Sequence, residues 1–239
     1  MQSVILAAGR GIRLKPITDE IPKCMVGIKG VPLLEILMQK LANSGIGDFN
    51  LVVGYKKEII EEHFGKEFEG IKIKYFVQSE PKGTAHALSL VEKHINEKFL
   101  LTNSDVIVPE NNYKKMLETD EFEKLDALAL SRKVNDPWRY GVLKTEQKKI
   151  IDIIEKPSPG NEPSNLVSTG IYRFKKDIFE SIKEIKLSQR GEYELVDAVK
   201  NYITKGKIVE SLLCEGECLD IGTIEDLEKA NEIESEFPE

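Results

Sequence analysis

No stretch of this chain stays apolar for the roughly 20 residues that a membrane-spanning helix needs. The opening MQSVILAAG is too short for a secretory leader and lacks its basic flank. Neither a membrane partner nor an export route is expected. Cysteine is scarce: Cys24, Cys214 and Cys218 are an odd set that cannot pair completely. A disulfide framework is excluded, and a reducing cytoplasm is the expected compartment. No histidine accompanies Cys214 and Cys218, so packed or idle thiols are expected there rather than a metal site. Histidine is limited to His63, His86 and His94, with no H-E-x-x-H, and no serine sits in G-x-S-x-G. Those absences exclude zinc-peptidase and α/β-hydrolase chemistry. An excess of basic charge is missing too. Lys and Arg number 34 against 41 Asp and Glu, a formal charge of −7. Nucleic acid is thereby excluded as a partner, because binding it needs a basic footprint.

What the sequence does contain is concentrated early. Residues 6–25 read LAAGRGIRLKPITDEIPKCM. A short apolar run (Val4, Ile5, Leu6) feeds a small, glycine-bearing loop that carries Arg10, Arg13 and Lys15 before the first acid, Asp19; Lys23 follows. Small residues let backbone N–H groups approach an anion closely, and successive N–H groups form an anion-binding concavity. Fixed cations add charge where a polyphosphate would lie. The loop is predicted to cradle a triphosphate at the carboxyl end of the first strand. It is not a Walker loop, since G-x-x-x-x-G-K-[ST] is absent. Nor is it a dinucleotide fingerprint: Gly9 and Gly11 lack a third glycine, and Pro16 and Pro22 interrupt the helix that should open at once.

Apolar runs predict strands at 3–6, 49–53, 71–77 and 99–102. Between them Leu34, Leu37, Met38 and Leu41 recur at helical spacing and stop near Gly45. Ile59, Ile60 and Phe64 mark a second helix, and Ala85, Leu88 and Val91 a third, entered through Gly83 and Thr84. This alternation predicts a mostly parallel sheet with helices on both faces. The second half reads differently: strands at 126–132, 141–145, 150–155 and 166–174, a helix at 193–204, a strand at 207–213 and a last helix at 224–234. No Gly/Ser-rich linker and no repeat divides the chain. One domain over 1–239 is expected, with a nucleotide-binding lobe over about 1–125 and a second lobe over about 126–239 that shapes the acceptor site. The acidic end, 232–239, is expected to fray.

Several constellations carry chemistry. Gln78 to Ala85, QSEPKGTA, leaves a strand and opens a helix. A glutamine amide offers donor and acceptor to a base edge, and glycine lets a base lie against the backbone. Asp105 closes FLLTNSD, and Asp220 lies in CLDIGT before the last helix. Two carboxylates can hold one Mg²⁺, which takes its other oxygens from phosphates and water. Asp220 can equally cap the last helix, as can Thr223. Glu155 and Lys156 end a strand in IIEKP, where they can meet sugar hydroxyls and a phosphate or form a solvated pair. Trp138 to Val142, WRYGV, opens a strand at Gly141, where a sugar ring can approach the backbone.

Taken together, these segments resemble the sugar-phosphate nucleotidylyltransferases, particularly the glucose-1-phosphate thymidylyl- and uridylyltransferases. LAAGRGIRLKPIT with PKCM is similar to the family's signature loop, and QSEPKGTAHAL to its base-binding segment. TNSD, WRYGV, IIEKP, STGIYRF, GEYELVDA and LDIGT follow in the family's order. The resemblance implies a three-layer α/β/α, Rossmann-like fold around a mixed, mostly parallel sheet, a second lobe that binds the sugar, and Mg²⁺-dependent transfer of a nucleotidyl group from UTP or dTTP to a hexose 1-phosphate, with release of pyrophosphate. It implies that Leu6, Ala8, Gly9 and Gly11 border the nucleotide, with Gln78 reading the base beside Pro81 and Gly83. Arg13 is implied on the outgoing phosphates, and Lys23 between the α-phosphate and the incoming sugar phosphate. Asp105 and Asp220 are implied as metal ligands, Gly141, Glu155 and Thr169 as sugar contacts, and Lys156 as a phosphate contact. Departures are Ile12 for a common threonine, Ser104 for glycine, Cys218-Leu219 for a frequent tryptophan, and Ser168 for asparagine. Nothing follows the last helix, so the β-helix domain of longer relatives is expected to be absent. Self-association into a homo-oligomer is left open. Two other readings are a cytidylyltransferase for a non-sugar phosphate and a non-catalytic, NTP-binding regulatory subunit.

Overall fold

The computed structural model describes residues 1–118 and 120–233. Ten strands make the main sheet: β1 (Gln2–Ala7), β2 (Asp48–Val53), β3 (Glu67–Phe68), β4 (Ile71–Val77), β5 (Lys98–Asn103), β6 (Ala127–Lys133), β7 (Gly141–Glu146), β8 (Lys149–Glu155), β9 (Leu166–Lys175) and β10 (Val209–Leu213). Their order is β7-β8-β10-β6-β9-β5-β1-β2-β4-β3. β1 pairs in parallel with β2 and β5, β2 with β4, and β6 with β10. β9 lies antiparallel between β5 and β6. Only β3, β8 and β9 run against the common direction, so the sheet is mixed and mostly parallel.

Among the described residues, seven helices of six or more residues flank it: α1 (Leu33–Asn43), α2 (Lys57–Phe64), α3 (Thr84–Ser89), α4 (Glu110–Glu118), α5 (Ile178–Glu184), α6 (Leu195–Thr204) and α7 (Ile224–Glu232). Strand alternation divides the core into two faces. Ile5 of β1 packs with Leu37 and Met38 of α1, Ile60 of α2 and Tyr113 of α4. Its neighbours Val4 and Leu6 point the other way, with Leu88 of α3, Phe179 of α5 and Val199 of α6. β1 is buried along its whole length, as expected of a parallel strand covered on both faces. A third cluster joins Leu14, Ile28, Ile107, Ile221 and Leu227, and so ties the early loop to α7.

The predicted strands and the helices built on apolar spacing are present. Several details differ. α4 escaped the sequence reading because ENNYKKMLE buries only Asn112, Tyr113 and Met116, a narrow stripe. α5 is two turns long, too short for a periodic signal. The helix predicted from 193 begins at Leu195, because Tyr193 is extended: its N–H donates to Lys82 O at 2.8 Å and its carbonyl accepts from Ala85 N at 2.9 Å. The strand predicted from 207 begins at Val209. The last helix ends at Glu232, and the fraying expected at the acidic end falls on 234–239, outside the described residues. Among the described residues, no helix is long and apolar enough to cross a membrane.

Candidate active site

The loop after β1 is shaped by its glycine. Gly11 sits at φ 64°, and a Cβ there would lie 2.8 Å from Lys23 Cβ. The left-handed turn and the missing side chain bring Lys23 against the loop. A single 3₁₀ turn, Ile12–Leu14, then buries Leu14 and leaves Ile12 at the surface, 68% exposed. Arg13 projects from the same turn, and a Cβ on Gly222 would meet its guanidinium at 3.0 Å. A second turn, Lys23–Met25, buries Cys24 and Met25. Lys23 instead lines the cavity beside the loop, where its ammonium pairs with Asp105.

Asp105 lies just beyond β5, at the carboxyl edge of the sheet. A two-stranded ribbon, Val106–Ile107 against Leu219–Asp220, brings the second carboxylate to it: Asp220 pairs with Val106, and Ile221 N donates to Asp105 O at 3.0 Å. Desolvation and then the Asp105 charge push the Asp220 carboxyl up to about 6, against the opposing pull of Lys23 and Arg132. Asp220 is not the helix cap. Thr223 caps α7, accepting from Asp226 N at 3.2 Å, while Asp226 accepts from Thr223 N at 2.8 Å and Gly222 N at 3.1 Å. The cap leaves the Asp220 carboxylate facing the site.

Two carboxylate oxygen donors at one edge suit Mg²⁺, which binds through one or two carboxylates and completes its shell with phosphate oxygens and water. Among the described residues, no three or more His, Cys, Asp or Glu side chains gather as a protein cage.

Two adjoining cavities open here. The first, about 810 Å³, is lined by Leu6, Ala8, Gly9, Gly11, Gln78, Pro81 and Gly83, together with Arg13, Lys23 and Asp105. Gly83 stands at φ 100°, and a Cβ there would lie 2.5 Å from Tyr193 O. Gln78 is buried, and its amide nitrogen donates to Gly83 O at 3.0 Å. The second cavity, about 440 Å³, is lined by Gly141, Glu155, Lys156, Thr169 and Asp220. Arg13, Asn103 and Asp105 line both. Every predicted site residue thus lies in one cavity or the other.

Within the second cavity the charges interlock. Lys156 Nζ lies 3.5 Å from Glu155 Oε1, and Arg190 Nη1 lies 3.5 Å from Glu155 and 3.3 Å from Glu194. Burial, followed by the neighbouring acids Glu155 and Glu192, raises the Glu194 carboxyl above its ordinary value, against the pull of Arg190. A Cβ on Gly141 would come within 3.4 Å of Glu155 Oε2, so glycine leaves room for that carboxylate. Thr169 donates its hydroxyl proton to Leu130 O at 2.9 Å. Ser168 donates to the Tyr172 hydroxyl at 2.6 Å. Asn103, Arg190 and Glu194 were missed as individual site residues. Two were within reach: Asn103 stands in TNSD, and Glu194 in GEYELVDA. Arg190 precedes that string in a polar loop with no local signal.

A nucleotide-sized cavity at the strand ends, a cation-bearing glycine loop and an adjoining charged cavity define a nucleotide-using transferase. Comparison with known proteins specifies it. The family model described as nucleotidyl transferase matches residues 2–236. The chain is 40% identical over 235 residues to the UTP–glucose-1-phosphate uridylyltransferase AglF of Haloferax volcanii, covering 97% of this chain and 96% of that protein. It is 36% identical over 232 residues to the bifunctional protein GlmU of Methanocaldococcus jannaschii, covering 97% of this chain but 53% of that longer protein. A glucose-1-phosphate thymidylyltransferase structure from Bacillus anthracis superposes with a TM-score of 0.88 at 31% identity, covering 100% of this chain and 98% of that one. A UDP-glucose pyrophosphorylase in complex with UDP-glucose also gives 0.88, at 27% identity and 97% coverage of each. The chain belongs to the nucleotidyl transferase family, and it is a sugar-phosphate nucleotidylyltransferase.

Proposed function

We propose that this enzyme transfers a nucleotidyl group from UTP or dTTP to a hexose 1-phosphate, with glucose 1-phosphate the preferred acceptor. The observation that carries the reading is the meeting of two cavities at Arg13 and Asp105. The larger holds the residues suited to a nucleotide, and the smaller those suited to a sugar phosphate. The activity named for the Haloferax relative supports UTP and glucose 1-phosphate.

The acceptor phosphate is an anion at neutral pH and needs no general base. Its oxygen attacks the α-phosphorus, the bond to the β-phosphate oxygen breaks, and pyrophosphate leaves with the electron pair. Such transfers are accelerated mainly by positioning and charge stabilisation. Arg13 faces the departing phosphates. Lys23 stands between donor and acceptor phosphates, exchanging its contact with Asp105 for them. Lys156 and Arg190 hold the acceptor phosphate, while Glu155 and Gly141 orient the sugar. Asp105 and Asp220 would hold Mg²⁺, which when bound supplies positive charge among the phosphates. The test is a pairwise screen of NTPs against sugar 1-phosphates, read as pyrophosphate release. Release with UTP or dTTP and glucose 1-phosphate is expected. Release only with CTP and a non-sugar phosphate would overturn the substrate reading.

A further inference from the structure

The reading of Gln78 as the base-contacting residue leaves its orientation unexplained. A primary amide has two N–H donors and one carbonyl acceptor, and nothing in its shape tells it which way to face. In this protein the nitrogen is claimed twice. Gln78 Nε2 lies 3.0 Å from Gly83 O and 3.0 Å from His86 Nδ1. A backbone carbonyl can only accept, so the Gly83 contact requires nitrogen there. The second N–H then points at Nδ1, which must carry a lone pair to receive it. Both donors are thus spent on the protein, and the carbonyl oxygen is what remains for a ligand. His86 sits in the first turn of α3, eight positions after Gln78, where no sequence signal separates it from a packing residue.

We infer that His86 is a specificity-positioning residue: with Nδ1 unprotonated it locks the Gln78 carboxamide oxygen-outward, so the base pocket selects a ring that presents an imide N–H. The inference rests on the proposed nucleotidyl donor. Uracil and thymine carry a hydrogen on N3, whereas cytosine presents a bare acceptor there and would meet oxygen with lone pair. Desolvation and the Lys82 ammonium push the His86 imidazole below its ordinary titration range, with Glu80 opposing, so the lone pair is kept at neutral pH. A site built to hydrogen-bond one partner discriminates strongly against an analogue lacking it, because a buried group is then left unpaired.

The experiment compares three variants with the wild type, using kcat and KM for UTP and CTP with glucose 1-phosphate. His86→Leu removes the acceptor. His86→Asn places an amide oxygen where Nδ1 stands, and His86→Gln places one where Nε2 stands. His86→Leu is expected to lower the UTP/CTP ratio of kcat/KM by about five- to tenfold, the scale of one lost hydrogen bond, with the change in KM rather than kcat. His86→Asn should recover the ratio, and His86→Gln should not. An unchanged ratio in His86→Leu, or equal behaviour of the Asn and Gln variants, would overturn the inference. Should the Leu variant not fold, the Asn–Gln contrast decides alone. If the wild type turns over no substrate pair, the transferase proposal fails, while calorimetric titration of the same variants with UTP and CTP still tests His86.

Discussion

At the residue scale, function rests on side chains whose partners compete with the ligand. Lys23 is the clearest. Its side chain is mostly buried and its ammonium is paired with Asp105, so it is preorganised as well as charged. Losing one preorganised donor at developing charge costs about a hundredfold in turnover. Lys23→Ala should therefore lower kcat by about a hundredfold or more, and near wild-type turnover in a folded variant would reject the role. His86 supplies a second prediction, in stability. Its titration in the native state lies below the ordinary histidine value, so the unfolded chain binds more protons between the two. Its contribution to stability is present above the ordinary value and lost as pH falls through it toward the native one. The urea midpoint of the wild type should accordingly climb more between about pH 5 and about pH 7 than that of His86→Asn. Parallel curves for the two proteins would show that the imidazole does not titrate differently on folding.

At the scale of elements, short turns set the site and long elements only carry it. The α7 cap is one such turn: the Thr223–Asp226 box fixes the backbone of Gly222, against which Arg13 rests. Thr223→Ala should cost about 1 kcal/mol, as N-cap losses do, and lower the melting temperature by about 2–4 °C for a chain of this size. Gly83→Ala should do more, since the added Cβ would fall 2.5 Å from Tyr193 O at a φ of 100°. Loss of nucleotide binding is expected, measured by calorimetry. Retained affinity would mean that the 192–195 segment can move aside. The same contrast explains what could be read without a structure. β1, β2 and β5 announce themselves as apolar runs because burial on both faces leaves no choice of residue, whereas β4 mixes lysines with apolar residues and buries only Ile73. The signature loop is legible because polyphosphate recognition needs small residues and cations together. The ribbon that joins Asp105 to Asp220 is two residues long on each side, below any periodic signal. Likewise Arg190 reaches Glu155 through tertiary packing alone, and a residue pair distant in sequence leaves no local trace.

Across the whole molecule, an acidic chain of formal charge −7 builds an anion site by gathering a few cations. Arg13 and Lys23 come from the loop after β1, Lys156 follows β8, and Arg190 precedes α6. Glu155 and Glu194 hold Arg190 in place, and Asp105 holds Lys23. In the proposed function the ligand's phosphates would replace these carboxylates as partners of the cations, and like charge would remain between Asp105 and Asp220. Asp220 shows this in a carboxyl pushed up to about 6 by desolvation and by Asp105. Ligand binding should then stabilise the whole chain by mass action, about 2.7 kcal/mol at a hundred times Kd, or about 5–10 °C in melting temperature. Three contributions can be separated by thermal melts. UTP alone should shift the wild type modestly, and Mg²⁺ with UTP further, if Asp105 and Asp220 hold the metal as proposed. In the Asp105→Asn, Asp220→Asn double variant the Mg²⁺ increment should vanish, while the shift given by glucose 1-phosphate through Lys156 and Arg190 should remain. An increment that survives in the double variant would remove both aspartates from the metal site. Loss of the glucose 1-phosphate shift as well would show that the two cavities act as one site.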